Sequence, residues 1–135
     1  MNIVKKVLYL LGTVMVISGC ATATREQPQS WSHSVSGLSV KTKLTVGEHY
    51  RSYRCMVYST VTNERSSNIR GGYLKFTFYD EKGTFESSAT VLLTSGLPAG
   101  QTVTYENSLN DNTGGKYYPY SCPKLQKLSI DTTLY

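Results

Sequence analysis

Hydrophobic and polar residues alternate along much of the chain, and this period of two predicts β-strands. The clearest case is residues 73–79, where Leu74, Phe76 and Phe78 share one face of an extended chain. Aromatic and β-branched residues in this pattern are typical of a strand with one buried side. Asp80 to Gly83 then supplies turn residues, so we expect a hairpin with this segment as the central strand of a small all-β domain.

Five further segments show strand patterns, and none has a convincing helical period. They cover residues 38–46, 53–61, 85–93, 101–106 and 124–131. Turn or loop residues separate them at 47–49, 63–72, 95–100 and 107–123, the last being long and rich in Gly and Tyr. We therefore predict a single small Ig-like β-sandwich of about six to seven strands over residues 35–135. A charged fraction of only 17% agrees with this fold class.

The first nineteen residues have the organisation of a secretory signal peptide. Lys5 and Lys6 precede an apolar run over residues 7–17, which is too short to span a bilayer as a mature helix. Removal of this leader leaves twelve Lys and Arg against nine Asp and Glu, a mild net charge of +3 instead of +5. A charge of this size indicates a solvated basic surface rather than a polyanion-binding protein.

The leader ends in Ile17-Ser18-Gly19-Cys20, which resembles the bacterial lipobox. The resemblance implies that Cys20 is lipidated and becomes the mature N-terminus, with acyl chains that hold the protein on a membrane. Ala21 follows, where an Asp would imply retention at the inner membrane of a Gram-negative cell. The implied location is therefore the outer membrane, with the domain in the periplasm or at the cell surface. Apart from this covalent lipid, we expect no cofactor.

Residues 20–34 lack periodicity and are polar, so we predict a lipidated, flexible tether between the anchor and the domain. The only tryptophan, Trp31, lies in this segment. It is expected either to dock on the first strand or to lie near the membrane interface.

Two cysteines remain after lipidation, Cys55 and Cys122. In an exported protein such a pair most simply forms one disulfide. No Cys-x-x-Cys spacing is present to favour a reactive thiol pair.

Three segments resemble the FxLYD-type domains, which are Ig-like β-sandwiches of bacterial envelope proteins. They are residues 61–64 (VTNE), 74–83 (LKFTFYDEKG) and 97–102 (LPAGQT). The resemblance covers about residues 53–106. It supports the sandwich fold and implies no catalytic residues.

The residues of common catalytic and metal sites are scarce. His33 and His49 are the only histidines, and no nucleophile is placed beside them by the pattern. Asn110-Asp111-Asn112 lacks the further ligands and closing Glu of a calcium loop. We predict that the protein is not an enzyme and holds no metal.

Two clusters combine tyrosine with basic residues, which are favoured at binding hot spots. The primary candidate is the long loop, and the secondary candidate is the start of the second predicted strand. Their members are Lys116, Tyr117, Tyr118 and Tyr120 in the loop and Tyr50, Arg51, Tyr53 and Arg54 before the strand. The alternative is that these tyrosines simply belong to strands and cap the end of the sandwich.

The leading functional hypothesis is a non-enzymatic protein-interaction module, acting as a subunit or adaptor of an envelope apparatus such as secretion, conjugation or surface exclusion. Expected partners are the membrane, through the lipid, and another envelope protein; nucleic acid and small-molecule ligands are not expected. The first alternative is a glycan- or peptidoglycan-binding lipoprotein that stacks sugars on Tyr117, Tyr118 and Tyr120. The second alternative is an envelope inhibitor of a foreign enzyme.

Overall fold

The computed structural model describes residues 27–110 and 118–135. These residues form seven strands and contain no helix, so none of them could form a membrane-spanning helix. The strands are β1 (Gln29–Val35), β2 (Leu38–His49), β3 (Ser52–Asn63), β4 (Gly72–Asp80), β5 (Phe85–Leu92), β6 (Thr102–Ser108) and β7 (Leu125–Leu134). The predicted all-β class is confirmed. The proposed signal peptide, Cys20 and the first part of the tether lie outside the described residues.

The strands form two antiparallel sheets that pack as a β-sandwich. One sheet has the order β1-β2-β3-β6 and the other β5-β4-β7. The three consecutive strands β1, β2 and β3 lie side by side, whereas an immunoglobulin constant domain places its second and third strands in different sheets. The term Ig-like therefore describes the two-layer architecture of this protein and not its strand order.

The core lies between the sheets and is built from the inward faces that the alternation predicted. Leu74, Phe76 and Phe78 of β4 are fully buried. They pack against the inward residues of the larger sheet, which include Val40, Leu44, Val57 and Val61. Burial of such side chains contributes about 1.5–3 kcal/mol each. The predicted hairpin after β4 is also present, since Asp80 Oδ1 accepts hydrogen bonds from the backbone N–H groups of Lys82 and Thr84.

Strand β1 corrects the predicted boundary of the domain. Its residues were assigned to the flexible tether, but they pair with β2 from Gln29↔Leu44 to Val35↔Leu38. Every second residue faces inward, and Trp31 packs edge-on against Phe78 with 6.0 Å between the ring centroids. The strand escaped prediction because serines fill its outer face and Gln and His occupy two of its inward positions.

Side chains of β1 also close one side of the sandwich against β7. Gln29 Nε2 donates to the carbonyl of Pro123 at 2.9 Å, and Gln29 Oε1 accepts from the N–H of Leu125 at 2.9 Å. His33 Nε2 lies 2.9 Å from the carbonyl of Leu128. The Gln29 amide thus binds the backbone as a neighbouring strand would, and it satisfies polar groups at the edge of β7.

The predicted turn at residues 47–49 is wrong, because β2 continues to His49. Gly47 has a different role there. A Cβ atom at this position would overlap the Tyr58 hydroxyl, so the missing side chain leaves room for the tyrosine to lie across the outer face of β2.

The actual turns at the two ends of β2 are both two-residue hairpins. At one end, here called the base, Ser36 and Gly37 join β1 to β2 with φ of 52° and 75°. Arg65 Nε donates to the Ser36 carbonyl at 2.8 Å and supports this turn. At the other end, here called the tip, Tyr50 and Arg51 join β2 to β3.

Candidate functional site

The hairpin at the tip holds two large residues in an unfavourable backbone conformation. His49 pairs with Ser52, and the intervening Tyr50 and Arg51 have φ of 48° and 65°. A hairpin turn with two positive φ values normally contains Asn-Gly or a similar pair. A left-handed conformation costs other residues roughly 1–2 kcal/mol each. Tyr50 is nevertheless 86% exposed, so burial of its ring does not offset this cost.

The end of the long loop lies against the start of β3 and extends the sheet at the tip. The N–H of Leu109 donates to the Cys55 carbonyl at 2.8 Å, and the N–H of Cys55 donates to the Tyr118 carbonyl at 3.0 Å. Two residues further on, the N–H of Tyr120 donates to the Tyr53 carbonyl at 3.1 Å. The two segments that the sequence analysis treated as separate clusters are therefore neighbours.

The predicted disulfide joins these segments covalently. Cys55 and Cys122 are bonded with their Cα atoms 4.8 Å apart, and Cys55 is fully buried. Tyr118 helps to fix the loop because it packs against the core and its hydroxyl donates to the Glu86 carboxylate. Tyr118 is half-buried, so it anchors the loop to the sandwich and contributes little to the exposed surface of the loop.

These contacts form an aromatic and basic surface, exposed except at the half-buried Arg54, that we call the tip patch: Tyr50, Arg51, Tyr53, Arg54 and Tyr120. Tyr120 is 73% and Tyr53 is 53% exposed, and their ring centroids lie 6.4 Å apart. Tyr120 also has a positive φ of 58°.

Hydrogen bonds and ring contacts hold the tip patch in place. Arg54 Nε donates to Ser52 Oγ at 3.1 Å, and the His49 ring meets Tyr50 edge-on with centroids 4.3 Å apart. An acidic residue, Glu48, pairs with Tyr53 across the two strands.

The remaining members of the predicted loop site, Lys116 and Tyr117, lie outside the described residues. Tyr120 and the whole secondary cluster come together in the tip patch, and Tyr118 lies beneath it. Whether these residues bind a partner stays a prediction. Over residues 27–110 and 118–135, no group of three His, Cys, Asp or Glu side chains is placed to hold a metal ion.

A second surface, which was not predicted from the sequence, is a groove on the outer face of the β1-β2-β3-β6 sheet. Its volume is about 480 Å³. The outward side chains that line it are Ser30, Ser32, Lys41, Lys43, Tyr58, Thr60, Thr104 and Glu106. The alternation placed Lys41, Lys43, Tyr58 and Thr60 on outer faces. Their juxtaposition depends on strand order and register, which a single sequence does not supply.

Comparison of the chain with protein-family models, curated proteins and solved structures finds no match. The lipobox and FxLYD-type resemblances therefore stay predictions from their motifs.

Proposed function

We propose that this protein is an outer-membrane lipoprotein, anchored through Cys20, whose sandwich is a non-enzymatic protein-interaction module. The anchor is supported by the positive leader, the apolar run and the Ile17-Ser18-Gly19-Cys20 sequence. Ala21 supports the outer membrane as the destination. The partner is another envelope protein, for which this domain is a subunit or adaptor.

The observation that carries the proposed interaction is the chemistry of the tip patch. Tyr50, Arg51 and Tyr120 occupy left-handed backbone conformations that stability alone disfavours. Backbone strain of this kind is concentrated at functional sites, where the surrounding structure maintains it. Tyrosine and arginine are also the residues that most often dominate binding energy at protein interfaces.

The way the tip is held favours binding with little loss of conformational entropy. A two-residue hairpin positions Tyr50, and the disulfide and two backbone hydrogen bonds, those of Tyr118 and Tyr120, fix the neighbouring loop end. Ordering of side chains and loops is a major cost of association, and a surface that is already rigid avoids much of it. The exposed guanidinium of Arg51 favours a partner surface with exposed carboxylates.

Site-specific photo-cross-linking in intact cells tests this proposal. A photoreactive phenylalanine analogue would replace Tyr50 or Tyr120 in the tip patch. Tyr135, which is 66% exposed on the described part of the chain outside the patch, provides the matched control. We expect Tyr50 and Tyr120 positions to yield one discrete envelope-protein adduct and Tyr135 to yield none. Equal adducts from all three positions, or no adduct from the patch, would contradict the proposal.

The anchor is tested separately by mass spectrometry of the mature protein. We expect an N-terminal Cys20 bearing diacylglycerol and an additional acyl chain, and a Cys20→Ser variant that leaves the membrane fraction. An unmodified mature N-terminus would contradict the lipoprotein assignment without affecting the cross-linking result.

A further inference from the structure

The groove on the larger sheet has a regular construction that follows from strand register. Adjacent strands align so that outward side chains form two rows across the sheet. One row is Ser30, Lys43, Tyr58 and Glu106, and the second is Ser32, Lys41, Thr60 and Thr104. Three strand spacings of about 4.8 Å give each row a length of about 14 Å. Among the described residues β1 and β6 are the edge strands of this sheet, so no further strand closes the groove at either end of the rows.

One aromatic ring, that of Tyr58, is among the outward side chains that line the groove. Tyr58 lies flat because Gly47 leaves space for its hydroxyl, and the Lys43 ammonium is 5.6 Å from its ring centroid. Burial, together with the Glu106 carboxylate, raises the pKa of the Tyr58 hydroxyl above its usual 10.0. The hydroxyl is protonated at neutral pH, as a tyrosine ordinarily is, and it can donate a hydrogen bond.

The other lining groups are polar and distributed by charge. Four of the outward lining side chains are short hydroxyl groups, which lose little rotamer freedom when they bind. Lys41 and Lys43 place two positive charges on β2, whereas Glu106 places one negative charge on β6. Within the described residues neither lysine forms an ion pair with a carboxylate. No aliphatic residue is among the outward lining side chains, so the surface does not suit an apolar protein anchor.

We propose that this groove binds a glycan chain that carries carboxylates. An apolar sugar face stacks on the exposed part of Tyr58, and sugar hydroxyls exchange hydrogen bonds with the Ser and Thr side chains and with Glu106. The carboxylate is bound by Lys41 and Lys43 through charge-assisted hydrogen bonds, which are the stronger kind. Glu106 at the opposite end disfavours a uniformly anionic polymer such as a nucleic acid. The open ends of the groove fit a chain rather than an enclosed small molecule.

A pair of matched glycans tests both parts of this proposal. The first probe is peptidoglycan glycan strands without stem peptides, which retain a lactyl carboxylate on every second sugar. The second is chito-oligosaccharide of equal length, which has a related amino-sugar backbone without carboxylates. Binding is measured by calorimetry with the full mature protein in detergent. We expect affinity at least tenfold higher for the acidic strands.

Substitutions on the two sheets provide the matched protein controls. Lys41→Gln with Lys43→Gln should lower affinity for the acidic strands at least tenfold. Lys75→Gln with Lys127→Gln removes the same charge from the outer face of the other sheet, where Lys127 lies 5.8 Å from the Tyr79 ring centroid, and should leave affinity unchanged. Tyr58→Phe keeps the ring and should lower affinity about threefold.

Three results would overturn the glycan proposal: no binding of the acidic strands, equal binding of both glycans, or equal losses from the two lysine pairs. None of these results affects the cross-linking expected at the tip patch, because the groove and the tip are tested with different variants and readouts.

Discussion

The two hairpins at the ends of β2 share a backbone conformation and differ in chemistry. At the base, Ser36 and Gly37 have positive φ, and glycine adopts such a conformation without steric cost. At the tip, Tyr50 and Arg51 adopt the same left-handed region with full side chains. The strand between them spans twelve residues, or about 40 Å. The turn at the base of β2 therefore has a residue suited to positive φ, whereas the turn at the tip has two residues that positive φ disfavours.

The contacts that surround the two hairpins also differ. The base is fixed by buried polar contacts, above all those of Asn63, and by the bond from Arg65 to the turn. The tip is fixed by the disulfide and presents exposed rings. Under the proposed function, base residues serve stability and tip residues serve recognition. The following predictions test that division.

Removal of the disulfide should have the largest effect, because it frees the unfolded chain and lowers stability globally, and it should in addition release the loop end at the tip. Cys55→Ala with Cys122→Ala releases a loop with a sequence separation of 67 residues. The loop-entropy model predicts a loss of about 4 kcal/mol in the free energy of unfolding. Denaturant titration measures this loss.

Hydrogen exchange of the same variant locates the effect. Amides of Cys55 and Tyr120 at the tip should lose more protection than the Glu64 amide, which bonds to Gly37 at the base. Equal loss of protection at both ends would break the comparison.

Loss of the Asn63 side chain should have the next largest effect, at the base. Its Nδ2 donates to the carbonyls of Ser67 and Leu97 at 3.0 and 2.9 Å, and its Oδ1 accepts from the N–H of Arg65 at 2.9 Å. Asn63 is fully buried, so Asn63→Ala leaves these backbone groups without partners. We expect a loss of about 3 kcal/mol, from net hydrogen-bond contributions of about 1 kcal/mol each.

The neighbouring Thr62 supplies the control for Asn63→Ala. Its hydroxyl lies 2.8 Å from that of Thr102 in an exposed pair, so Thr62→Ala should cost less than about 1 kcal/mol. Photo-cross-linking through Tyr50 should persist in folded Asn63→Ala protein. A loss no larger than that of Thr62→Ala would show that the base does not depend on this buried amide.

Replacement of the two tip turn residues by Asn-Gly should have the smallest effect on the free energy of unfolding, and it should increase stability rather than reduce it. Tyr50→Asn with Arg51→Gly relieves two left-handed residues and should increase the free energy of unfolding by about 2 kcal/mol. The reciprocal change at the base, Gly37→Ala, should destabilise, since its Cβ would lie 2.7 Å from Arg65 Cγ in addition to the strained φ.

The same tip exchange should reduce cross-linking through Tyr120, because two members of the tip patch are lost. Increased stability with undiminished cross-linking would refute the assignment of the tip hairpin to recognition.

The period of two was sufficient to predict six of the strands, because each has one buried face. It did not reveal β1, where Trp31 and Val35 alternate with serines and the remaining inward positions are polar. Strand order also escaped prediction, since the alternation identifies a buried face but not the strand beside it. Gly47 was misleading for a physical reason: it accommodates the Tyr58 ring and does not make a turn.

For the candidate site, composition identified both clusters but not their contact. The disulfide between Cys55 and Cys122 was expected from export and cysteine count, and it implies that the clusters lie close together. The conformation of Tyr50 and Arg51 was not expected, because turn rules look for Gly, Asn or Asp at such positions. Tyr118 was grouped with exposed residues, although its packing against the core becomes evident only when the sheets are assembled.

The start of β1 at Gln29 limits the distance between this domain and the proposed lipid anchor. Nine residue intervals separate Gln29 from Cys20, and an extended chain of that length reaches about 30 Å. Gln29 pairs with Leu44, and the tip lies about 20 Å further along β2. If Cys20 carries the proposed lipid, Tyr50 lies within about 50 Å of the bilayer surface, so the proposed partner would have to present its binding surface inside that zone.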